Sequence, residues 1–396
     1  MSFPRAARPA LVRSKYLGSI LTAVAVVFLA AQFISCSGNG KLPTTGTGNL
    51  AYVTLPNAGS VLRLHIDGLT GSVGVEGSTP GYVGVSPLGI ALAPSKKFLY
   101  VANQLSDNIS TLSIASDGSL SQVTTTVTGG NGPFAAIVDP SGQYLLVTNS
   151  GQSNNVSVFS IDSSSGGLTA VPGSPFYAND NPSDIVMPPA GNLAYVSNPS
   201  VGMVTAFTFD ASSGALAQVP GSPYFSGSGA SALATDNSGQ FLYVANTSAL
   251  NPPPNENVIG NISAYSIQSN GQLQSLSSLG SPFAPSIGSG PSTLVAVPNS
   301  QILYATTPGS SFSIWCFQIN SLNGQLTVVS GSPFSQTAGG QFALIDTNGS
   351  YFFIGSEESN DIAAYSYDPN TGQPTAVLNS PFSTSGQRPG KMVIVP

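Results

Sequence analysis

The chain has 396 residues, only 7% of them charged, with 44 glycines, 31 prolines and 41% apolar side chains. That is the composition of a turn-rich β protein, too apolar and too weakly charged for a disordered one. The net charge of -6 hides an asymmetry: Arg5, Arg8, Arg13 and Lys15 precede residue 36, and beyond it 6 cations face 16 carboxylates. No basic footprint for a phosphate backbone remains there, which excludes nucleic acid as the expected partner.

Taken in chain order, the four early cations precede Leu17 to Ile34, an apolar stretch that reads as an export signal. We expect residues 1–35 to be a signal peptide. Phe33-Ile34-Ser35-Cys36 resembles a bacterial lipobox, which implies lipidation of Cys36 and attachment to the periplasmic or outer membrane. The alternative is an uncleaved signal anchor, since 18 apolar residues just span a bilayer. Either way the remainder is expected in the cell envelope. Residues 36–49, rich in Gly and Thr, form a flexible linker. With Cys36 lipidated, Cys316 is the one remaining thiol, and its strand-like surroundings Ser313-Ile314-Trp315-Cys316-Phe317 point to a buried, inert group.

Residues 50–396 are a repeat. The run Phe98-Leu99-Tyr100-Val101-Ala102-Asn103 returns at Leu50, Tyr144, Leu193, Phe241, Ile302 and Tyr351, with equivalent points spaced by 48, 46, 49, 48, 61 and 49 residues. A period of this size marks an array of supersecondary units. Each period holds four short strand-like segments bounded by Gly, Pro, Asn, Asp or Ser. In the second they are Leu88 to Ala93, Phe98 to Asn103, Asn108 to Ala115 and Leu120 to Thr128. The third segment is apolar or small on both faces, as expected for sheets packed face to face. The fourth follows a Gly-x-Leu turn and ends in Ser-Pro-aromatic at Ser174, Ser222, Ser281, Ser332 and Ser380, where proline suits an outer edge.

Seven such units imply an all-β fold: a seven-bladed β-propeller of four-stranded antiparallel blades. The first unit begins at its second strand, and residues 390–396 match a first strand with nothing after it. The C-terminal strand is therefore expected to pair into the N-terminal blade and close the ring, and we expect a monomer.

Tyr100-Val101-Ala102-Asn103, Tyr195-Val196-Ser197-Asn198 and Tyr243-Val244-Ala245-Asn246 resemble the YVTN repeat of the seven-bladed, lactonase-like propellers. That resemblance implies an enzyme similar to 6-phosphogluconolactonases, hydrolysing a sugar-acid lactone without a cofactor. The alternative is a non-catalytic binding or scaffold propeller of the envelope, whose partner is a carbohydrate or an envelope protein. Pro133-Phe134-Ala135, Pro182-Ser183-Asp184, Pro291-Ser292-Thr293 and Pro389-Gly390-Lys391 stand where lactonase-type members carry Pro-Arg-His, so no Arg-His pair carries over.

Loops joining second to third and fourth to first strands share one face, where a channel-mouth site would lie. The candidates there are Asp184, Arg388, Lys391 and Glu357, a carboxylate serving as general base and a cation steadying an oxyanion. Asp180, Glu358 and Asp361 lie on the same loops. Residues 247–260, containing three consecutive prolines and Glu256, read as a surface insertion or a rim element. Arg63, His65 and Asp67 share a strand face and are expected in a hydrogen-bonded cluster between blades. Asp139, Asp236 and Asp346 are expected to bond their own turns. No zinc-type ligand spacing and no Gly-x-Ser-x-Gly elbow occurs, so no metal or serine nucleophile is expected.

Overall fold

In the computed structural model the described residues are 48–396, less 78–79, 248–259, 284–289, 309–312, 336–338, 347 and 357. The signal, Cys36, most of the 247–260 loop and Glu357 lie outside them.

Seven antiparallel sheets follow one another along the chain. Blade 2 shows the plan: Pro87–Leu92 innermost, then Phe98–Asn103, Asn108–Ile114 and Leu120–Val127 at the edge. The signature second strand is buried along its whole length in blades 2 to 6. Seven apolar clusters each straddle two neighbouring blades, the last joining Phe342 and Phe353 of blade 7 to Leu62 and Ile394 of blade 1. The hydrophobic core thus sits between sheets, and seven interfaces for seven blades make a closed ring.

Closure takes the expected form. Met392–Val395 pairs antiparallel with Asn49–Leu55, Tyr52 lying opposite Val393. Lys391 extends the seam, its amide donating to Thr54 Oγ1 (2.9 Å) and its carbonyl accepting the Thr54 amide (2.9 Å).

Four of the signature tyrosines prove to be bolts. Tyr195 and Tyr243 donate their hydroxyls to the carbonyls of Gly271 (3.1 Å) and Gly324 (3.0 Å) in the next blade, and Tyr52 and Tyr304 do the same to Gly118 and Gly372. The glycine is required there: at Gly324 φ is 74° and a Cβ would come within 2.3 Å of the Phe241 ring. The motif asparagine is a latch within its blade. Asn149 Nδ2 donates to Asn155 Oδ1 (2.7 Å) and Ser157 Oγ (2.8 Å), and Asn246 repeats this with Asn261 and Ser263.

The Ser-Pro-aromatic run works differently from a simple edge proline. It splits the outer strand in two, as at Leu168–Ala170 and Phe176–Tyr177, and its serine hydroxyl accepts the third-strand amide that the break would orphan. Ser174, Ser222, Ser281, Ser332 and Ser380 all do so, at 2.8–3.0 Å. Blade 2 has no such run, and its outer strand continues unbroken for 8 residues.

Candidate functional site

The top face is built from the ends of second strands and the segments that enter the inner strands. Four hydroxyls there stitch one blade to the next: Thr54 to the Leu88 carbonyl, Thr148 to Ser183, Ser197 to Ser231 and Ser292 to Gly340, at 2.8–3.0 Å. Three of these occupy the third position of the Tyr-Val-x-Asn motif, a recurring Ser or Thr that the sequence displays but whose partner in the next blade it does not.

Asp184 sits half-buried just before Ile185–Val186, the inner strand of blade 4. Its Oδ2 accepts the Leu233 amide of blade 5 at 2.9 Å, while its own amide donates to Ser197 Oγ at 2.9 Å. The first bond directs the carboxylate toward blade 5 and the second ties the Asp184 backbone to the second strand of its own blade. Arg388 and Lys391, both half-buried, come together on the segment that leads into the closing strand of blade 1, and Arg388 is engaged with a partner there. Blades 1 and 4 lie three apart in a ring of seven. The two cations thus belong to blade 1 and Asp184 to blade 4.

The remaining top-face carboxylates serve the loops. Asp180 accepts Asn154 Nδ2 at 3.0 Å, and Asp361 accepts Ser359 Oγ at 2.8 Å, with burial raising its acid range. Asp107 ties two loops by accepting the Gly132 amide at 2.7 Å. Glu358 is exposed.

On the opposite face Asp139 and Asp236 each accept three amides of their own turn at 2.7–3.1 Å, and Asp346 accepts two at 2.6–2.7 Å, as expected. A second set caps the turns between third and fourth strands. The Ser164 hydroxyl and the amides of Ser165 and Ser164 hold the Asp162 carboxyl down at about 2. Asp67, Asp117, Asp210 and Asp368 are lowered in the same manner.

The Arg63, His65 and Asp67 strand does not form one cluster. Arg63 does bridge blades, donating from Nη1 to the Asp117 carbonyl at 2.8 Å. Asp67 instead turns into its own loop to take the Leu69 and Thr70 amides, because the turn offers it three donors at 2.8–3.0 Å. Cys316 is fully buried, and burial pushes its thiol up to about 12, so it is inert at neutral pH. Among the described residues no three His, Cys, Asp or Glu side chains gather as metal ligands would.

Three successive stretches, residues 47–175, 172–288 and 260–388, match the family described as Lactonase, 7-bladed beta-propeller. No curated protein matches the chain. Among solved structures it is similar to a provisionally assigned 6-phosphogluconolactonase from Bacteroides uniformis ATCC 8492 (TM-score 0.74, 18% identity, covering 88% of this chain and 99% of that one). It is also similar to the periplasmic gluconolactonase of Pseudomonas aeruginosa (TM-score 0.71, 19% identity, covering 88% and 99%). At such identities the likeness speaks for the fold. The family match, which spans residues 47–388, goes further: the chain belongs to the lactonase seven-bladed β-propeller family.

Proposed function

We propose that the protein is an envelope-anchored lactonase that opens a sugar-acid lactone at the mouth of its central channel. The observation that supports this most is the family match across residues 47–388. In this reading Asp184, steadied through Oδ2 by the Leu233 amide, takes a proton from water as the water attacks the lactone carbonyl. Arg388 and Lys391 steady the oxyanion, the ring C–O bond breaks as Asp184 passes the proton to the departing ring oxygen, and a hydroxy acid leaves. Glu357, the other carboxylate the sequence offers for this role, lies outside the described residues. A phosphorylated lactone would call for more cations than Arg388 and Lys391. A neutral sugar lactone is accordingly the preferred substrate class. Attachment through Cys36, or through an uncleaved signal, places the reaction outside the cytoplasm.

The test is ring opening of a panel of neutral and phosphorylated sugar lactones, followed as acid release by the purified full-length protein. Asp184→Asn should lower the rate by about 10²-fold or more. No rate above the spontaneous one on any lactone overturns the proposal.

A second reading, a non-catalytic binding propeller, is favoured by the commitment of Asp184 Oδ2 to a backbone amide. Under it, capture of an envelope component survives without turnover, and replacing Asp184, Glu357 and Arg388 together abolishes the capture.

A further inference from the structure

Six of the seven outer edges of the ring are interrupted. In blades 3, 4, 6 and 7 the Ser-Pro break leaves pieces of three and two residues. Blade 5 keeps three residues and a single bridge at Phe283, and blade 1 is divided into Val73–Val75 and Gly81–Tyr82. Blade 2 ends instead in the continuous strand Leu120–Val127, and among the described residues no strand pairs with its outer side.

The direction of its backbone groups follows from the ladder. The Thr128 amide donates to the Asp107 carbonyl of the third strand at 3.2 Å, and Thr126 and Thr124 lie opposite Ile109 and Thr111. In an antiparallel pair the bonds to a neighbour come from alternate residues, so the N–H and C=O of Thr125 and Val127 point away from the blade. At the other end the Ala115 amide donates to the Ser119 carbonyl at 2.9 Å and Ser121 lies opposite Ser113, which turns the groups of Leu120 and Gln122 outward.

Such an edge takes up another strand unless a charge, a proline or a bulge prevents it. From Leu120 to Asn131 there is neither a charged residue nor a proline. The one device is a bulge at Val123, where the register shifts between Thr111 and Leu112, and the strand is open on both sides of it. Ser121 to Thr125 are exposed, as is Val127 at 76%. Val123, Thr124, Thr125, Thr126 and Val127 are all β-branched, the type that packs well against a cross-strand neighbour.

We propose that blade 2 pairs edge to edge with blade 2 of a second copy of the chain, antiparallel about a two-fold axis, in place of the monomer expected from the sequence. With one open edge on each chain, the pairing occupies both edges and closes at two copies. The strand is also complementary to itself. Turned end for end, it sets Leu120 opposite Val127, Ser121 opposite Thr126 and Gln122 opposite Thr125, so apolar meets apolar and hydroxyl meets hydroxyl or amide. No like charges face each other along it, although each chain carries -6 overall. The area sets the strength: a strand of this length spans about 27 Å, and one such seam buries about 800 Å² in total, less than a standard interface. The pair is accordingly weak, with Kd of about 10–100 μM.

The experiment is sedimentation equilibrium of the full-length protein in density-matched detergent, from about 1 to 200 μM so as to span that Kd. A species with the mass of two chains is expected at the upper end. Thr125→Pro removes an outward N–H and leaves the ladder to the third strand intact, the one kind of place where a strand tolerates proline. Val123→Lys puts a charge on the edge. Each should weaken association about tenfold or more, while Thr169→Lys, on the exposed edge of blade 3, should leave it unchanged. In the unmodified protein, exchange of the Thr125 and Val127 amides should slow as concentration rises. A monomer at every concentration, the edge being bare or filled by a strand of another protein, overturns the proposal. So does association that survives both Thr125→Pro and Val123→Lys, or that leaves the exchange of both amides unchanged, since either result would place the contact elsewhere on the chain.

Discussion

Blades 5 and 1 share a strand order and differ in nearly every device that fastens it. In blade 5 Tyr243 bolts to the next blade, Asn246 latches the neighbouring strand, and Ser281 replaces the ladder bond lost beside its proline. Blade 1 retains only the tyrosine, through Tyr52 to Gly118, and has Leu55, Ser60, Arg63 and Glu76 in the other slots. It is held instead by the closing strand from the far end of the chain. The contrast teaches that the residues identifying the family are fasteners of the ring. Positions released from that duty, in blade 1 and in the top-face loops, are where chemistry can vary.

The largest effect expected from this contrast is on blade 1. Deleting residues 390–396 removes Met392 and Ile394, each 7% exposed, from the core between blades 7 and 1. Their burial contributes about 1.5–3 kcal/mol each, before the strand pairing is counted. Scanning calorimetry should show a much lower melt, and adding the missing peptide should restore part of it. An unchanged melt would show that blade 1 does not depend on closure.

A smaller effect concerns acid. The Asp162 carboxyl is held at about 2 against an ordinary value of 3.8, chiefly by the Ser164 hydroxyl, and the carboxyls of Asp67, Asp117, Asp210 and Asp368 are lowered too. Groups lowered on folding stabilise the folded state above their unfolded values, and that contribution is lost as pH falls through the folded values. The turns of blades 1 to 4 and 7 should therefore loosen between about pH 4 and 2. The blade 5 turn, capped by the uncharged Asn270, should hold. Amide exchange normalised to intrinsic rates should show the Ser164 and Ser165 amides losing protection while that of Gln272 keeps it. Equal loss at all three would show that the charge on the caps is immaterial.

The ring was legible because its determinants are local and repeated. The spacing of the Phe98 to Asn103 runs, the Gly-x-Leu turns and the orphan strand at 390–396 announce seven blades and their closure without any partner being known. The fasteners were not legible, because their partners lie one blade away. Nothing near Tyr243 indicates that its hydroxyl reaches Gly324, 81 residues on. Ser222 reads as part of a turn until the broken outer strand shows which amide it serves. Asp184, Arg388 and Lys391 could be assigned to one face by strand direction alone. That Arg388 and Lys391 lead into blade 1 while Asp184 enters blade 4 follows from the closing strand pairing with the N-terminal blade. Arg63 and Asp67 share a strand face as the two-residue period requires, yet Asp67 lies close enough to its own turn to bond there first.

The central claim, that the signature residues fasten blades to each other, is tested most directly by a paired thermal scan of Tyr243→Phe and Tyr100→Phe. Both hydroxyls are buried in equivalent strands, but Tyr243 donates to Gly324 at 3.0 Å while Tyr100 Oη has no partner. Tyr243→Phe should cost about 1–2 kcal/mol and lower Tm by a few degrees, since it leaves a buried carbonyl unpaired. Tyr100→Phe should leave Tm unchanged or slightly raised. Equal losses in the two variants would contradict the claim and make the tyrosines a matter of packing alone.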